Sequence, residues 1–413
     1  MEGKMFERKN TCFILSGILV FILFSWNLSF AQPQITGISG TLANGQSITV
    51  TGSSFGIKPQ AAPWRWDTIS NGGLVNGTSV NYYAGLVNGS LIPPTGGSYC
   101  QAYGYDCTKD PAYWNANWGK YEIDTNQADQ RTTFSTKNLI STTPNNCPTT
   151  NTANEKLGVA IPAAWHKLYF SFWFYPYATY TNQNIKFIRI LGDYNTSQFA
   201  YNNQFFAVDT WWQNPSPLFS ENMSALAPNN NWQWSSGTGT YIHPVANEWE
   251  RIEVYLQHES TPPTSNDGRF IITQTVANSD GTYQRHTYDS GLVDMDRVSN
   301  PITNWLTFGQ ELSNCTEGNT SIDMTTRLSD IYIDNTLARV ELCDASTWSA
   351  VTHCEIQPPS AWSDSSIIIQ SNQGSFHNLN NTYLYIIDAN GNISNGYPLC
   401  PNCLKPVSAI SVK

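Results

Sequence analysis

The chain has 413 residues, with 13% charged, 13% aromatic, 15 Trp and 21 Tyr. Soluble proteins usually carry about 25% charged residues, so a charged-tail protein or a helical bundle is excluded, and the length exceeds one common domain. The formal net charge of −10 disfavours nucleic acid and anionic membrane surfaces as partners.

Helix-favouring Lys, Glu, Arg and Leu are scarce, whereas Thr, Ser, Asn, Gly, Tyr and Ile abound. That is the composition of strands joined by many turns, and the expectation is an all-β fold. Residues 1–31 read as a secretory signal peptide, because Lys4, Arg8 and Lys9 precede an apolar run from Cys12 to Phe24, and Ser29-Phe30-Ala31 suits signal peptidase. Its removal takes away three bases and two acids and moves the formal charge from −10 to −11. No later stretch reaches 18 uninterrupted apolar residues, so no membrane insertion is expected and the product is secreted, extracellular, or held in a periplasm or at a cell surface.

The mature stretch opens with ITGISGTLANGQSITVTGSSFG (35–56), a turn at Asn44-Gly45 followed by the alternating strand Ser47–Thr51. It is similar to the start of an IPT/TIG domain, a small immunoglobulin-like β-sandwich. Half a sandwich cannot bury a core. Later strands of the same resemblance occur at Ala338–Leu342, Ala361–Ile369 and Tyr383–Ser394. The resemblance therefore implies one domain over 33–58 plus 337–403, with a large domain inserted at 60–336 and a tail at 404–413. Insertions of this kind are tolerated where chain ends lie close together.

The insert is a series of strand-like runs separated by Gly, Pro, Asn and Asp clusters, the pattern of a sandwich or jelly roll. From Tyr169 to Tyr175, alternation sets Phe170, Phe172 and Phe174 against Tyr169, Ser171, Trp173 and Tyr175. From Trp249 to Gln257 it sets Ile252, Val254 and Leu256 against Trp249, Arg251, Glu253, Tyr255 and Gln257. Each strand thus offers one apolar core face and one polar-aromatic face suited to a ligand groove. The run Glu248–Tyr255, followed by Asn266-Asp267-Gly268-Arg269-Phe270 and Ser329–Asp334, resembles the concanavalin A-like lectin/glucanase jelly rolls. That resemblance implies lectin, glucanase or polysaccharide lyase relatives and a ligand on a concave sheet.

Eight cysteines remain after the leader, an even number that suits four disulfides in an exported protein. The close pairs Cys100/Cys107, Cys343/Cys354 and Cys400/Cys403 would leave Cys147 with Cys315, although spacing alone does not choose among pairings. Cys400-Pro-Asn-Cys403 also suits a redox dithiol or half a zinc site, yet neither a βαβ pattern nor a second C-x-x-C accompanies it.

Sugar rings stack on flat aromatic side chains while amides, carboxylates and guanidinium groups take the hydroxyls. Trp173, Tyr175, Trp211, Trp212, Trp249, Tyr255 and Gln257 are the binding candidates, joined by Trp232 and Trp234. A glycosidase needs two carboxylates. The laminarinase-like glucanases of this fold carry E-x-D-x-x-E, but here Glu122-Ile123-Asp124 is followed by Gln127, which cannot donate and recover a proton. A lyase needs a group that neutralises a uronate and another that moves a proton. Arg251 with Gln284, His286 and Tyr288 is that candidate set, and Glu253 is a further acidic one. The R-[ST]-E-L-R and Y-x-K-x-G-x-Y-x-Q motifs of alginate lyases with this fold are absent.

No cofactor is required by these readings. Asp67, Asp330 and Asp334 are the candidate ligands for a structural calcium. The expected partner is a polysaccharide or cell-surface glycan. Three functions fit: carbohydrate binding without catalysis, polysaccharide cleavage by a lyase or less readily a hydrolase, and a structural or adhesive surface protein. The oligomeric state is not legible.

Overall fold

The computed structural model describes residues 31–92, 121–141, 152–162, 165–176, 184–191, 204–209, 218–223, 232–233, 247–261, 264–278, 280–293, 305–313 and 326–399. Residues 1–30 of the expected signal peptide, the 404–413 tail, Trp211, Trp212 and Trp234 lie outside them. So do three of the four expected disulfides, those joining Cys100 to Cys107, Cys147 to Cys315 and Cys400 to Cys403. The protein is all-β, and every sheet is antiparallel. Among the described residues no helix is long and apolar enough to cross a membrane.

The larger sandwich packs an eleven-stranded sheet on a six-stranded one. Strand Lys167–Pro176 is central to the first, between Glu250–Gln257 and Thr326–Asp334. Its period-two pattern sends Phe170, Phe172 and Phe174 into the core with Ile252, Val254 and Leu256, as the sequence predicts. The six-stranded sheet contributes Ile188, Ile190, Leu306 and Phe308. Phe308 makes edge contacts with Phe170 and Phe172 at 5.8 and 4.8 Å between ring centroids.

Alternation in Thr326–Asp334 would break between Leu328 and Ile331, both of which are core residues. A bulge resolves it: the register shifts there, and Asp330 takes a left-handed φ of 50°. Leu328, Ile331 and Ile333 then all face the core, and the Asp330 carboxylate is held by Arg131.

The smaller sandwich draws strands from both ends of the chain. Gln34–Gly40 pairs with Ser47–Ser53, which pairs with Ser366–Gln370 through Val50↔Ile367 and Ile48↔Ile369. Its second sheet holds Cys354–Gln357, Arg339–Cys343, Tyr383–Ile387 and Tyr397–Pro398. Ile48, Val50, Val340, Leu342, Ile367, Ile369, Leu384 and Ile386 fill the space between. The run 361–369 reads as one strand in the sequence but forms two, because Ser363 and Ser366 close a tight turn through Ser363 Oγ. Cys343 and Cys354, the expected pair that falls within the described residues, sit directly opposite each other and are disulfide-bonded.

Candidate functional site

The polar-aromatic face of Lys167–Pro176 and Glu250–Gln257 is where a groove is expected from sequence, and most of it is closed. Strands Arg339–Cys343 and Cys354–Gln357 of the smaller sandwich lie over it, leaving Trp173 and Tyr255 2% exposed, Arg251 1% and Glu253 4%. Arg251 holds Glu341 with both terminal nitrogens at 3.0 Å and donates to the Cys354 carbonyl at 3.0 Å. Glu341 also accepts from Arg339 Nε at 2.8 Å. Glu253 accepts from the Tyr169 hydroxyl at 2.9 Å and from Arg285 at 3.4 Å. Beside them Arg131 stacks over Trp173 at 4.6 Å and donates to Glu355 at 2.7 Å, while Glu355 lies 3.2 Å from His353. Trp66, Tyr169, Tyr255 and Tyr332 complete the seam with Leu337 and Ile356.

The ionisation states follow from this packing. Burial alone would raise the Glu253 carboxyl, but Arg251, Arg285 and Arg339 outweigh it and hold it at about 2. Burial likewise opposes the Glu355 carboxylate, and Arg131 and His353 overcome it, so Glu355 lies well below the usual range. A depressed carboxyl contributes stability that is complete above its unfolded value of 4.5 and is lost as pH falls toward about 2. Glu253→Gln, with no proton to take up, is expected to show a flatter dependence of unfolding free energy on pH between 4.5 and 2, by about 3 kcal/mol over that window. Matched urea titrations across that window check it, and equal slopes would refute the assignment.

The proposed lyase set is divided by the sheet. Arg251, Thr275 and Arg285 occupy one cross-strand row, so their side chains share the seam face. Gln284, His286 and Tyr288 pair with Val276, Gln274 and Ile272 and take the opposite face, where Tyr288 packs on the main core. Arg251 therefore cannot act together with them. Glu253 is equally enclosed. Gln257 accepts from the Tyr255 hydroxyl at 2.8 Å and donates to the Asp267 carbonyl at 2.7 Å, which ties it to a turn.

The three aspartates also part company. Asp67 is bound by Arg65 at 2.9 Å and by the Tyr83 hydroxyl at 2.6 Å, Asp330 faces Arg131, and Asp334 faces Lys58 at 2.6 Å. Each carboxylate is matched to a cation of the protein. Among the described residues no group of three or more His, Cys, Asp or Glu is placed to hold a metal ion.

One row of the face is less deeply buried among the described residues, with Tyr175, Trp249, Ile140 and Glu122 half-buried and Arg327 3% exposed. Register carries it from Tyr175 through Arg327 and Ile140 to Glu122, about 14 Å across four strands at the usual spacing, and Trp249 stands beside Tyr175. Tyr175 and Trp249 are half-buried, with ring centroids 5.4 Å apart. Arg327 lies under the Tyr175 ring at 5.7 Å and pairs with Asp124. Glu248, next to Trp249, has its carboxyl raised by partial burial. Two aromatic faces flanked by carboxylates and a guanidinium are thus set side by side. Arg327 and Ile140 carry no sequence signal for this row, because only the strand order brings them to it.

Solved structures to which the chain is similar include a marine PL-14 alginate lyase from Aplysia kurodai, at 10% identity over 52% of this chain and 86% of that one, with a TM-score of 0.36. An endo-beta-1,4-glucuronan lyase from the fungus Trichoderma reesei matches at 12% identity over 54% and 89%, TM-score 0.38. The Lotus tetragonolobus seed lectin matches at 11% over 55% and 94%, TM-score 0.28. No family model matches the chain, and no curated protein matches it.

Proposed function

We propose that this chain is an exported carbohydrate-binding protein whose platform is Trp249 and Tyr175 with Ile140 and Glu122 along the same row, supported from within by the buried Arg327. The observation that carries the reading is the half-buried Tyr175 and Trp249 pair, 5.4 Å apart, on a face where Trp173, Arg251, Glu253 and Tyr255 are buried. Aromatic faces take the apolar side of a sugar ring, and Glu248 and Glu122 accept from its hydroxyls. The Cys343–Cys354 bridge supports export, since disulfides persist in oxidising compartments. We read 33–58 plus 337–403 as one IPT/TIG-like domain and 60–336 as a concanavalin A-like jelly roll inserted in it. The pairing of Ser47–Ser53 with Ser366–Gln370 supports that division. Catalysis through Arg251 and His286 forms no part of the proposal, because they lie on opposite faces of the sheet.

The test is binding of the purified protein to a panel of neutral and uronate polysaccharides. Trp249→Ala and Tyr175→Ala are each expected to weaken binding about tenfold, which is about 1.4 kcal/mol, while His286→Ala leaves it unchanged. Wild-type affinity in both aromatic variants, or no binding by the wild type, would sink the reading.

A further inference from the structure

Lysine is almost never fully buried, and Lys58 is: its side chain is 0% exposed and that of its partner Asp334 is 3% exposed. The Lys58 Nζ lies 2.6 Å from Asp334 Oδ2 and donates to the Gln60 carbonyl at 2.7 Å. Asp334 Oδ2 also accepts from the Tyr332 hydroxyl at 3.1 Å, and Oδ1 accepts from the Asn335 amide at 2.8 Å. The Tyr332 that reaches Asp334 packs in turn on other aromatic rings, 6.3 Å from Trp66 and 5.9 Å from Tyr169. An amine and a carboxyl pressed together out of contact with solvent have a reaction open to them that water would suppress.

We propose that Lys58 and Asp334 condense into an intramolecular isopeptide bond. The neutral Nζ attacks Asp334 Cγ, the Nζ–Cγ bond forms, and the Cγ–Oδ2 bond breaks. Oδ2 leaves as water, carrying the carboxyl proton and one proton from the amine, so an amine and an acid become an amide and water with no other reactant. The Asn335 N–H is already placed on Oδ1, the oxygen that stays and bears charge in the tetrahedral intermediate. The Tyr332 hydroxyl is placed on Oδ2, where it relays the proton to the leaving oxygen. Burial favours the reactive forms of both partners, lowering the Lys58 ammonium and raising the Asp334 carboxyl despite their mutual attraction.

The position gives the bond a purpose. Lys58 follows the Ser47–Ser53 strand where the chain leaves the smaller sandwich, and Asp334 ends the Thr326–Asp334 strand where the chain returns to it. An amide between them staples the two crossings together, so the larger sandwich would be closed into a covalent loop and the junction would resist pulling and unfolding.

The measurement is the intact mass of the purified, denatured, reduced protein, with the sequence mass counted from the N-terminus that peptide mapping finds. The expected mass is that of the sequence less one water, with Lys58 and Asp334 recovered in a single branched peptide. Lys58→Met and Asp334→Ala should each carry their full sequence mass, and Tyr332→Phe should show a smaller cross-linked fraction at early times after synthesis. A wild-type mass equal to the full sequence, with Lys58 and Asp334 in separate linear peptides, overturns the proposal whatever the variants do.

Discussion

Glu341→Leu is expected to lower the unfolding free energy by about 3–5 kcal/mol, the cost of removing one partner from a buried, hydrogen-bonded ion pair. Glu341 is the hub of the seam, since it takes both terminal nitrogens of Arg251 and the Nε of Arg339. Without it, the guanidinium groups of Arg251, Arg285 and Arg339 face Glu253 as their remaining seam carboxylate. Arg251→Met should cost less, because Glu341 keeps Arg339 and the local charge moves toward balance. The double variant Arg251→Met/Glu341→Leu removes one charge of each sign, and it should be more stable than Glu341→Leu alone. Urea midpoints at unchanged m-value measure all three. A loss below about 1 kcal/mol for Glu341→Leu, or a double variant weaker than the single, would show that the seam is held by shape and not by charge.

That seam marks where the sequence stops being readable. Period-two alternation places Phe170, Phe172, Phe174, Ile252, Val254 and Leu256 correctly in the core, because burial on one face leaves a local trace. It also separates Trp173, Arg251 and Glu253 onto the other face, which the structure bears out. What alternation cannot say is what covers that face. The cover comes from Glu341 and Cys354, 90 and 103 residues away from Arg251, so the same pattern reads as an open groove until the strands are placed. A physical cue was present all the same. In a chain with only 13% charged residues, Arg251 and Glu253 on one strand and Arg339 and Glu341 on another repeat the same Arg-x-Glu spacing, as two mutually compensating faces would. The rim row was half legible for a similar reason: Tyr175 and Trp249 come from the alternation, whereas Arg327 joins them only through a bulge at Asp330 that no periodicity announces.

Arg131→Met is expected to be destabilising at neutral pH by about 3–5 kcal/mol and, unlike the wild type, to recover on acidification. Arg131 is the cation shared by Asp330 and Glu355, and its stacking on Trp173 places it between the two sandwiches. In the wild type Glu355 is depressed, so its contribution is complete above the unfolded value of 4.5 and falls away only in strong acid. Removing Arg131 leaves burial as the dominant influence on both carboxyls. Their folded values then rise above the unfolded ones, the penalty is full at neutral pH, and it is relieved as pH falls toward the unfolded values. Asp330 is already raised by burial in the wild type and rises further without Arg131, so the difference between the two curves reports both carboxyls. Unfolding free energies from pH 7 to pH 5 should therefore converge for the variant and the wild type. Parallel curves would mean that Arg131 serves as packing over Trp173 alone, in which case Arg131→Lys, which keeps the charge but loses the planar stack, should be as damaging as Arg131→Met.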